Sequence, residues 1–349
     1  MDMSAEPGTL RFGVLSTADI AMRKVIPGMR RSTRGEVVAI ASRDGERARV
    51  VADQLGIPRS HGSYEALLAD PDVDAVYIPL PNHLHAEWAV AAVAAGKHVL
   101  CEKPLAMTAA DAQRMADAAQ RAGMHLMEAF MYRHHPSWLA AVELVASGRI
   151  GTLTSVQSWF SYYNDDQANI RNIRAVGGGA LYDIGCYNVS LSRLLFGSEP
   201  IDVAASLQRD PVGGTDIQTS AILRFETGVA TFTCSTRLET DQRVHIYGTD
   251  GRISIDIPFN IPPDRPTRIH LIHGGEAPVA PATETFTFES QDPYAAEVDA
   301  FAGAILEGRP TPVPAADAVA NLRVIERIFA AAEGGPGQGG ADQGRALPS

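Results

Sequence analysis

The feature that most constrains this chain is an alternation in its first third. Short runs that are apolar on both faces are separated by helix-patterned segments. Residues 10–16 (LRFGVLS), 36–42 (EVVAIAS), 75–80 (AVYIPL), 97–101 (KHVLC) and 125–130 (HLMEAF) read as strands. Residues 18–31, 44–56, 83–95 and 108–122 read as helices between them, three of them stopped by Gly56, Gly96 and Gly123. A strand apolar on both faces must be covered on both, and a helical crossover returns the chain parallel to itself. The segment is therefore predicted to form an α/β doubly wound parallel sheet of Rossmann type.

The texture then changes. After a helix at 135–147, residues 152–163 (TLTSVQSWFSYY) are long and partly alternating, and a helix is predicted near 178–196. Strand candidates at 201–209, 217–225, 228–236, 242–248 and 252–257 follow with no helix between them. Turn signals at Glu226-Thr227-Gly228 and Thr249-Asp250-Gly251 separate some of them, an antiparallel pattern. Helices at 294–307 and 315–332 close the ordered chain. The 349 residues suit two domains at roughly 150 residues each. The expected division is a flexible start at 1–9, a dinucleotide-binding domain at 10–133, a substrate-binding and oligomerisation domain at 134–333, and a Gly-rich disordered tail at 334–349.

Composition narrows the partners. Thirty basic against 41 acidic side chains give a net charge of −11, which disfavours nucleic-acid and anionic-membrane surfaces. No apolar run approaches the ~20 residues of a membrane span. Residues 1–9 lack the basic start and apolar stretch of a signal peptide, so a cytoplasmic location is expected. Cys101, Cys186 and Cys234 are scattered and odd in number, which argues for buried thiols rather than a disulfide framework. His83/His85 and His134/His135 have no carboxylate or thiol at supporting spacing, and no metal site is expected. Only three of the basic residues are lysines, Lys24, Lys97 and Lys103. Where arginine is used so freely, a retained lysine hints at a need for a compact ammonium.

The first strand–turn–helix carries STADIA at 16–21, where a dinucleotide fingerprint would read G-x-G-x-x-G. Ser16 and Ala18 take the first two glycine places and Ala21 the third. The physical requirement is small side chains at a helix N-terminus facing a diphosphate, which Ser16, Thr17 and Ala18 meet. An ordinary tight turn would look the same. At the end of the second strand an NAD site usually places Asp or Glu. This chain has Ser42-Arg43, with Arg47 one turn on. A hydroxyl and two guanidiniums suit a 2′-phosphate, so NADP is the expected cofactor, with NAD as the alternative.

Two further segments sit at the presumed carboxyl edge, where open α/β sheets bind ligands: PNHLH at 81–85 and CEKPLAMT at 101–108. Lys103 precedes Pro104, a bond open to the cis form. Further on, GGGALYDIGCY at 177–187 places Asp183 and Tyr187 four apart, on one face of a helix. A carboxylate beside a phenol suits substrate anchoring and acid–base work, and three glycines permit close backbone approach to a ligand. A Gly-rich turn followed by a helix with a buried tyrosine is the bland alternative.

STADIA, PNHLH, CEKPLAMT, MEAFMYRHHP at 127–136 and GGGALYDIGCY occur together, in this order, over about residues 10–330. In this the chain resembles the Gfo/Idh/MocA family of nicotinamide-dependent oxidoreductases, especially its glucose-fructose oxidoreductase and D-xylose dehydrogenase branch. That branch also includes dihydrodiol dehydrogenases and nucleotide-sugar ketoreductases. The resemblance implies a second domain with a large, mostly antiparallel open-faced sheet, and a homodimer or homotetramer. It implies that Lys103 touches nicotinamide ribose and substrate, that Asp183 binds a substrate hydroxyl, and that Tyr187 is the acid–base where many members carry histidine. It further implies cofactor contacts from Ser16, Thr17, Ala18, Ile20, Leu80, Pro81, Asn82, His85 and Glu102, and from Arg133 and Tyr294 at the cleft. The missing early glycines depart from the family's commonest pattern.

The expected reaction is hydride transfer between NADP and a sugar hydroxyl or carbonyl, of aldose dehydrogenase type. Tyr187 would be the base, its phenol pKa of about 10 lowered by the Lys103 ammonium. The alternatives are a reductase of a keto-sugar or nucleotide-linked keto-sugar, a trans-dihydrodiol dehydrogenase, and a non-catalytic NADP-binding sensor. Lys103, Asp183 and Tyr187 argue against the sensor, which needs no acid–base set. Trp159, Phe160, Tyr162 and Tyr163 are candidates to stack on a sugar or to pack in a sheet. Substrate choice is expected from the segments 164–176 and 257–268.

Overall fold

The computed structural model describes residues 8–274 and 282–334. The segments 1–7 and 335–349, expected to be flexible termini, lie outside the described residues, and Gly334 closes the last helix. The first sheet contains β1 (Leu10–Leu15), β2 (Gly35–Ala41), β3 (Arg59–His61), β4 (Ala75–Ile78), β5 (His98–Glu102) and β6 (Leu126–Ala129). All its pairings are parallel, in the order β3-β2-β1-β4-β5-β6. Consecutive strand residues feed opposite cores: Val76 and Ile78 one, Ala75 and Tyr77 the other. That is why these runs read as continuously apolar.

The helices around this sheet are α1 (Ile26–Met29), α2 (Gly45–Leu55), α3 (Tyr64–Leu68), α4 (His85–Ala94) and α5 (Ala109–Ala122). Local chemistry sets their ends. Asp44, Ser63 and Thr108 accept from backbone N–H groups at the starts of α2, α3 and α5, while Gly56 and Gly123 take left-handed conformations after α2 and α5. The short β3 and α3 had no counterpart in the sequence reading. Three residues, RSH, carry no apolar period to detect.

The remaining helices are α6 (Pro136–Ala146), α7 (Cys186–Phe196), α8 (Pro293–Leu306) and α9 (Ala315–Gly334). The second sheet contains β7 (Leu153–Tyr163), β8 (Asp202–Arg209), β9 (Asp216–Arg224), β10 (Val229–Ser235), β11 (Arg237–Gly248), β12 (Arg252–Ile255), β13 (Thr267–His273) and β14 (Ala282–Phe288). Its order is β14-β13-β12-β11-β7-β10-β9-β8, antiparallel except for the β7–β10 pair. The pair β13–β14 extends the sheet beyond the predicted strands. Thr267 and Arg268 open β13 inside a segment expected to be a loop, and β14 is an edge strand too exposed to show an apolar face. One face of the sheet buries Val156, Phe160, Phe232, Val244, Ile246, Ile253 and Leu271. The other carries Gln157, Trp159, Ile222, Arg243 and Tyr247 around a concavity of about 820 Å³.

The linear division at 133/134 does not describe α8. Val298, Phe301 and Ala302 of this helix share a core with Phe12, Val14, Tyr77 and Leu100 of the first sheet, and the Phe12 and Phe301 rings lie 6.1 Å apart. The chain returns because that face of the parallel sheet, with α1 on part of it, still needs an apolar cover. No helix among the described residues is long and apolar enough to cross a membrane.

Candidate active site

A cleft of about 1070 Å³ opens along the carboxyl ends of β1, β2, β4 and β5 and continues to β7 and the start of α7. Strand order reverses between β1 and β4, where doubly wound sheets leave a crevice for ligands. Ser16, Thr17, Ala18, Ile20, Ser42, Arg43, Arg47, Leu80, Pro81, Asn82, Glu102, Lys103, Asp183, Tyr187 and Tyr294 all line it.

The turn after β1 explains how serine replaces glycine there. Ser16 has φ of 126°, a left-handed value rare outside glycine. Its hydroxyl accepts from the Ala18 N–H at 3.1 Å, which helps hold the turn. The following helix opens with a π-turn, Ala21–Val25. At the other end of the cleft wall, Arg43 and Arg47 have no carboxylate partner among the described residues. Arg49, on the same helix as Arg47, is tied to Glu46 and Asp53. A small-residue turn at a helix N-terminus, with two guanidiniums nearby that no carboxylate neutralises, is a donor set that fits a dinucleotide carrying an extra phosphate.

At the opposite end Lys103 follows β5, and its bond to Pro104 is cis. The ammonium donates to the Asp183 carbonyl oxygen at 2.5 Å and to Asp183 Oδ1 at 3.3 Å. Asp183 Oδ2 accepts from the Tyr162 hydroxyl and from Arg171 Nε at 3.2 Å. Burial works to raise the Asp183 pKa, but Lys103, Arg171 and Tyr162 outweigh it and hold the carboxyl below its ordinary value. Burial opposes the Lys103 charge as well; Asp183 outweighs it, so the ammonium pKa lies above its ordinary value. Glu102 accepts from the Tyr77 hydroxyl at 2.6 Å, and burial raises its pKa.

Asp183 lies in a π-turn, Leu181–Gly185, that precedes α7. Tyr187 sits one turn further on, 6% exposed, its ring 5.1 Å from Phe130, 5.7 Å from Phe160 and 5.4 Å from Phe259. Its hydroxyl donates to Met131 Sδ at 3.5 Å. The expected lowering of the phenol pKa is not found. Burial, then Tyr294, Glu102, Cys186 and Asp183, push it well above 10. The Lys103 ammonium lies over the ring face, 5.1 Å from its centre, and is engaged by Asp183.

The glycines of 177–179 serve packing rather than a ligand alone. A Cβ on Gly177 would stand 2.8 Å from Asn82 Cβ, on Gly178 2.6 Å from the Arg171 carbonyl, and on Gly179 2.1 Å from Asp216 Oδ1. Gly177 and Gly179 also have φ of 86° and 129°. Asn82 donates to the Gly177 carbonyl at 2.8 Å, so its amide ties the two cleft walls together.

Two sequence candidates lie elsewhere. His85 is fully buried, its ring nitrogens 2.7 Å from the Leu80 carbonyl and 3.0 Å from the Pro104 carbonyl, and it braces the two cleft loops from behind. His83 lines the cleft instead. Arg133 turns away to Asp317 at 2.6 Å, beside Arg193. Both misplacements have one cause: the motif spacing says which loop a residue occupies, not which side of it faces the cleft.

Tyr162, one of four aromatics offered as candidates to stack on a sugar or pack in a sheet, lines the cleft, and Arg171, not singled out from the sequence, joins it there. Alternation along β7 carried the signal for Tyr162, which shares a face with Phe160. Trp159 lies on the opposite face, and Tyr163 is 63% exposed. Arg171 belongs to the 164–176 segment expected to govern substrate choice. Cys101, Cys186 and Cys234 are buried and free. Lys97 donates to the Asp70 and Val73 carbonyls at 2.8 and 2.7 Å, a structural use of a lysine. Among the described residues no three His, Cys, Asp or Glu side chains converge as metal ligands would.

Residues 10–130 match the oxidoreductase family with the NAD-binding Rossmann fold, and residues 138–254 match the GFO/IDH/MocA C-terminal domain. The chain is 43% identical to the D-xylose 1-dehydrogenase (NADP(+)) 2 of Haloferax volcanii, over 93% of this chain and 98% of that protein. It is 38% identical to the dTDP-3,4-didehydro-2,6-dideoxy-alpha-D-glucose 3-reductase of Streptomyces violaceoruber, over 92% and 94% of the two chains. The crystal structure of KijD10, a 3-ketoreductase from Actinomadura kijaniata in complex with NADP and TDP-benzene, superposes with a TM-score of 0.85 at 32% identity, covering 93% of this chain and 98% of that one. With both domains matched and the Lys103–Asp183–Tyr187 cluster in their shared cleft, the chain belongs to the GFO/IDH/MocA family and is an NAD(P)-dependent oxidoreductase.

Proposed function

We propose that the protein transfers a hydride between NADP and the reacting carbon of a sugar, as an aldose dehydrogenase of the xylose or glucose type. The observation that carries this reading is one continuous cleft with Ser42, Arg43 and Arg47 at one end and Lys103, Asp183 and Tyr187 at the other. The similarity to an NADP-linked xylose dehydrogenase supports it.

When bound, the nicotinamide supplies the hydride chemistry, and this chain manages charge and proton. Ser16, Ala18 and the Thr17 backbone would face the diphosphate, and Ser42, Arg43 and Arg47 the 2′-phosphate. Glu102 and Tyr294 line the wall between. Lys103, held by Asp183, directs its ammonium to the substrate oxygen and stabilises negative charge there. The Tyr187 hydroxyl exchanges the proton with that oxygen. Asp183 is already engaged by three donors, so its role is to hold Lys103, Arg171 and Tyr162 in place more than to bind a free sugar hydroxyl.

A second reading, reduction of a keto-sugar or nucleotide-linked keto-sugar, draws on one observation. Burial favours the protonated form of the Tyr187 phenol, the form from which carbonyl reduction starts. The similarity to a deoxysugar 3-reductase points the same way.

Nicotinamide absorbance separates the readings. Purified protein with NADP or NAD is assayed against a panel of aldoses, including xylose and glucose. NADPH formation with an aldose, faster than with NAD, supports the first. No aldose oxidation, with NADPH consumed by keto-sugars, moves the assignment to the second. We further propose a homodimer or homotetramer built on the open sheet face around Trp159, Ile222 and Tyr247, and a cytoplasmic location in keeping with three free thiols. Sedimentation of the wild type against Ile222→Lys tests the oligomer.

A further inference from the structure

Thr17 is buried, 8% exposed, in the turn that follows β1. Its Oγ1 accepts a hydrogen bond from Arg47 Nε at 2.7 Å, although the two residues lie on different strand–helix units. The arginine is fixed from its backbone side too, because Asp44 Oδ1 accepts from the Arg47 N–H at 3.1 Å in the first turn of α2. With Nε engaged, the two terminal amino groups of Arg47 have no hydrogen-bond partner among the described residues, and the side chain borders the cleft. Arg49 gives the contrast. It has the same chemistry on the same helix, yet Glu46 and Asp53 neutralise it, as expected of a surface arginine.

A guanidinium held through Nε presents its two outer N–H groups as a planar fork, the edge that suits a phosphate. An untethered arginine would lose rotamer entropy on taking that position, so a tether made before binding removes part of the penalty.

We propose that Thr17 is a specificity-determining positioning residue. By holding Arg47 it presents that guanidinium to the 2′-phosphate of NADP, and so links the turn that meets the diphosphate to the group that tells NADP from NAD. The inference rests on the NADP assignment made above. The Thr17 side chain acts through Arg47, while its backbone belongs to the turn that meets the diphosphate of either cofactor, so removing the hydroxyl affects one cofactor and not the other.

The test is fluorescence titration of the full-length protein with NADPH and with NADH. The variants are Thr17→Val, which keeps the shape and removes the acceptor, Thr17→Ser, Arg47→Met and the double variant. The wild type is expected to favour NADPH. Thr17→Val should weaken NADPH binding by roughly 5–10-fold, the range of one net hydrogen bond, with NADH within about twofold. Thr17→Ser should restore the NADPH affinity, and adding Thr17→Val to Arg47→Met should change little more. If Thr17→Val weakens both cofactors alike, or leaves NADPH binding intact while Arg47→Met weakens it, the tether is overturned and the NADP assignment stands. If the wild type binds both cofactors equally and Arg47→Met changes neither, the NADP assignment itself fails. Thr17→Ala removes the same acceptor and takes the place of the valine variant should that one fold poorly.

Discussion

The Lys103 ammonium is bound to Asp183 through two atoms, the backbone carbonyl at 2.5 Å and the carboxylate Oδ1 at 3.3 Å. The two residues are 80 positions apart, and each is largely buried. Burial works to lower the lysine pKa, and the Asp183 charge outweighs it. Asp183→Asn keeps the shape and removes that charge. The Lys103 pKa should then fall, and activity should decline at a lower pH than in the wild type. Turnover at neutral pH should drop by roughly 10²-fold. A pH–rate profile of both proteins checks it; an unchanged alkaline limb would show that Asp183 does not hold the lysine charge.

Tyr187 sets a direction-dependent pH response. Burial holds its phenol well above the ordinary value of about 10. Below that pH the protonated form dominates, so carbonyl reduction should be nearly flat through the neutral range. Alcohol oxidation needs the phenolate, and its turnover should rise by up to roughly tenfold per pH unit on the alkaline side. Tyr187→Phe should lower both directions by roughly 10²-fold or more and abolish the slope. Initial rates in the two directions, with Kd for the cofactor measured alongside, decide the matter.

Arg171 reaches Asp183 from the 164–176 segment, with Nε 3.2 Å from Oδ2. Arg171→Met should raise the substrate KM and lower kcat, together roughly tenfold in kcat/KM, while cofactor Kd stays within about twofold. A variant with wild-type kinetics would place Arg171 outside the reacting assembly.

Glu128 provides a stability test away from the chemistry. It is 1% exposed; burial raises its pKa to about 7 from 4.5, although Oε1 accepts from the Leu105 N–H at 2.7 Å. The folded state therefore binds this proton more tightly than the unfolded chain. The stabilisation is fully present below about pH 4.5 and is lost as pH rises through about 7, on the order of 3 kcal/mol at most. Glu128→Gln retains an oxygen for Leu105 and cannot ionise. Thermal midpoints of the two proteins should differ by several degrees more in the variant's favour at about pH 8 than at about pH 5. A pH-independent difference would mean that Glu128 is already ionised when folded.

Much of this protein was legible in local sequence. Strand runs apolar on both faces, Gly56 and Gly123 after their helices, Asp44 and Thr108 before theirs, and small residues at 16–18 each act over a few positions. They specified five of the six strands of the parallel sheet and the loops at its carboxyl edge. Lys103, Asp183 and Tyr187 could be picked out because their motifs occur in order along the chain. The environment of those side chains came only with tertiary structure, because burial and charge pairing act between residues far apart in sequence. Aromatic packing from Phe130, Phe160 and Phe259 raised the Tyr187 pKa where a neighbouring lysine had been expected to lower it. Tyr162 and Arg171 converge on Asp183 from elements whose paths the sequence alone did not reveal. His85 and Arg133 sit in the predicted loops but face a pair of carbonyls and Asp317. The helix Pro293–Leu306 crosses back to the first sheet to cover an apolar face, and so brings Tyr294 to a cleft whose turn begins at Ser16.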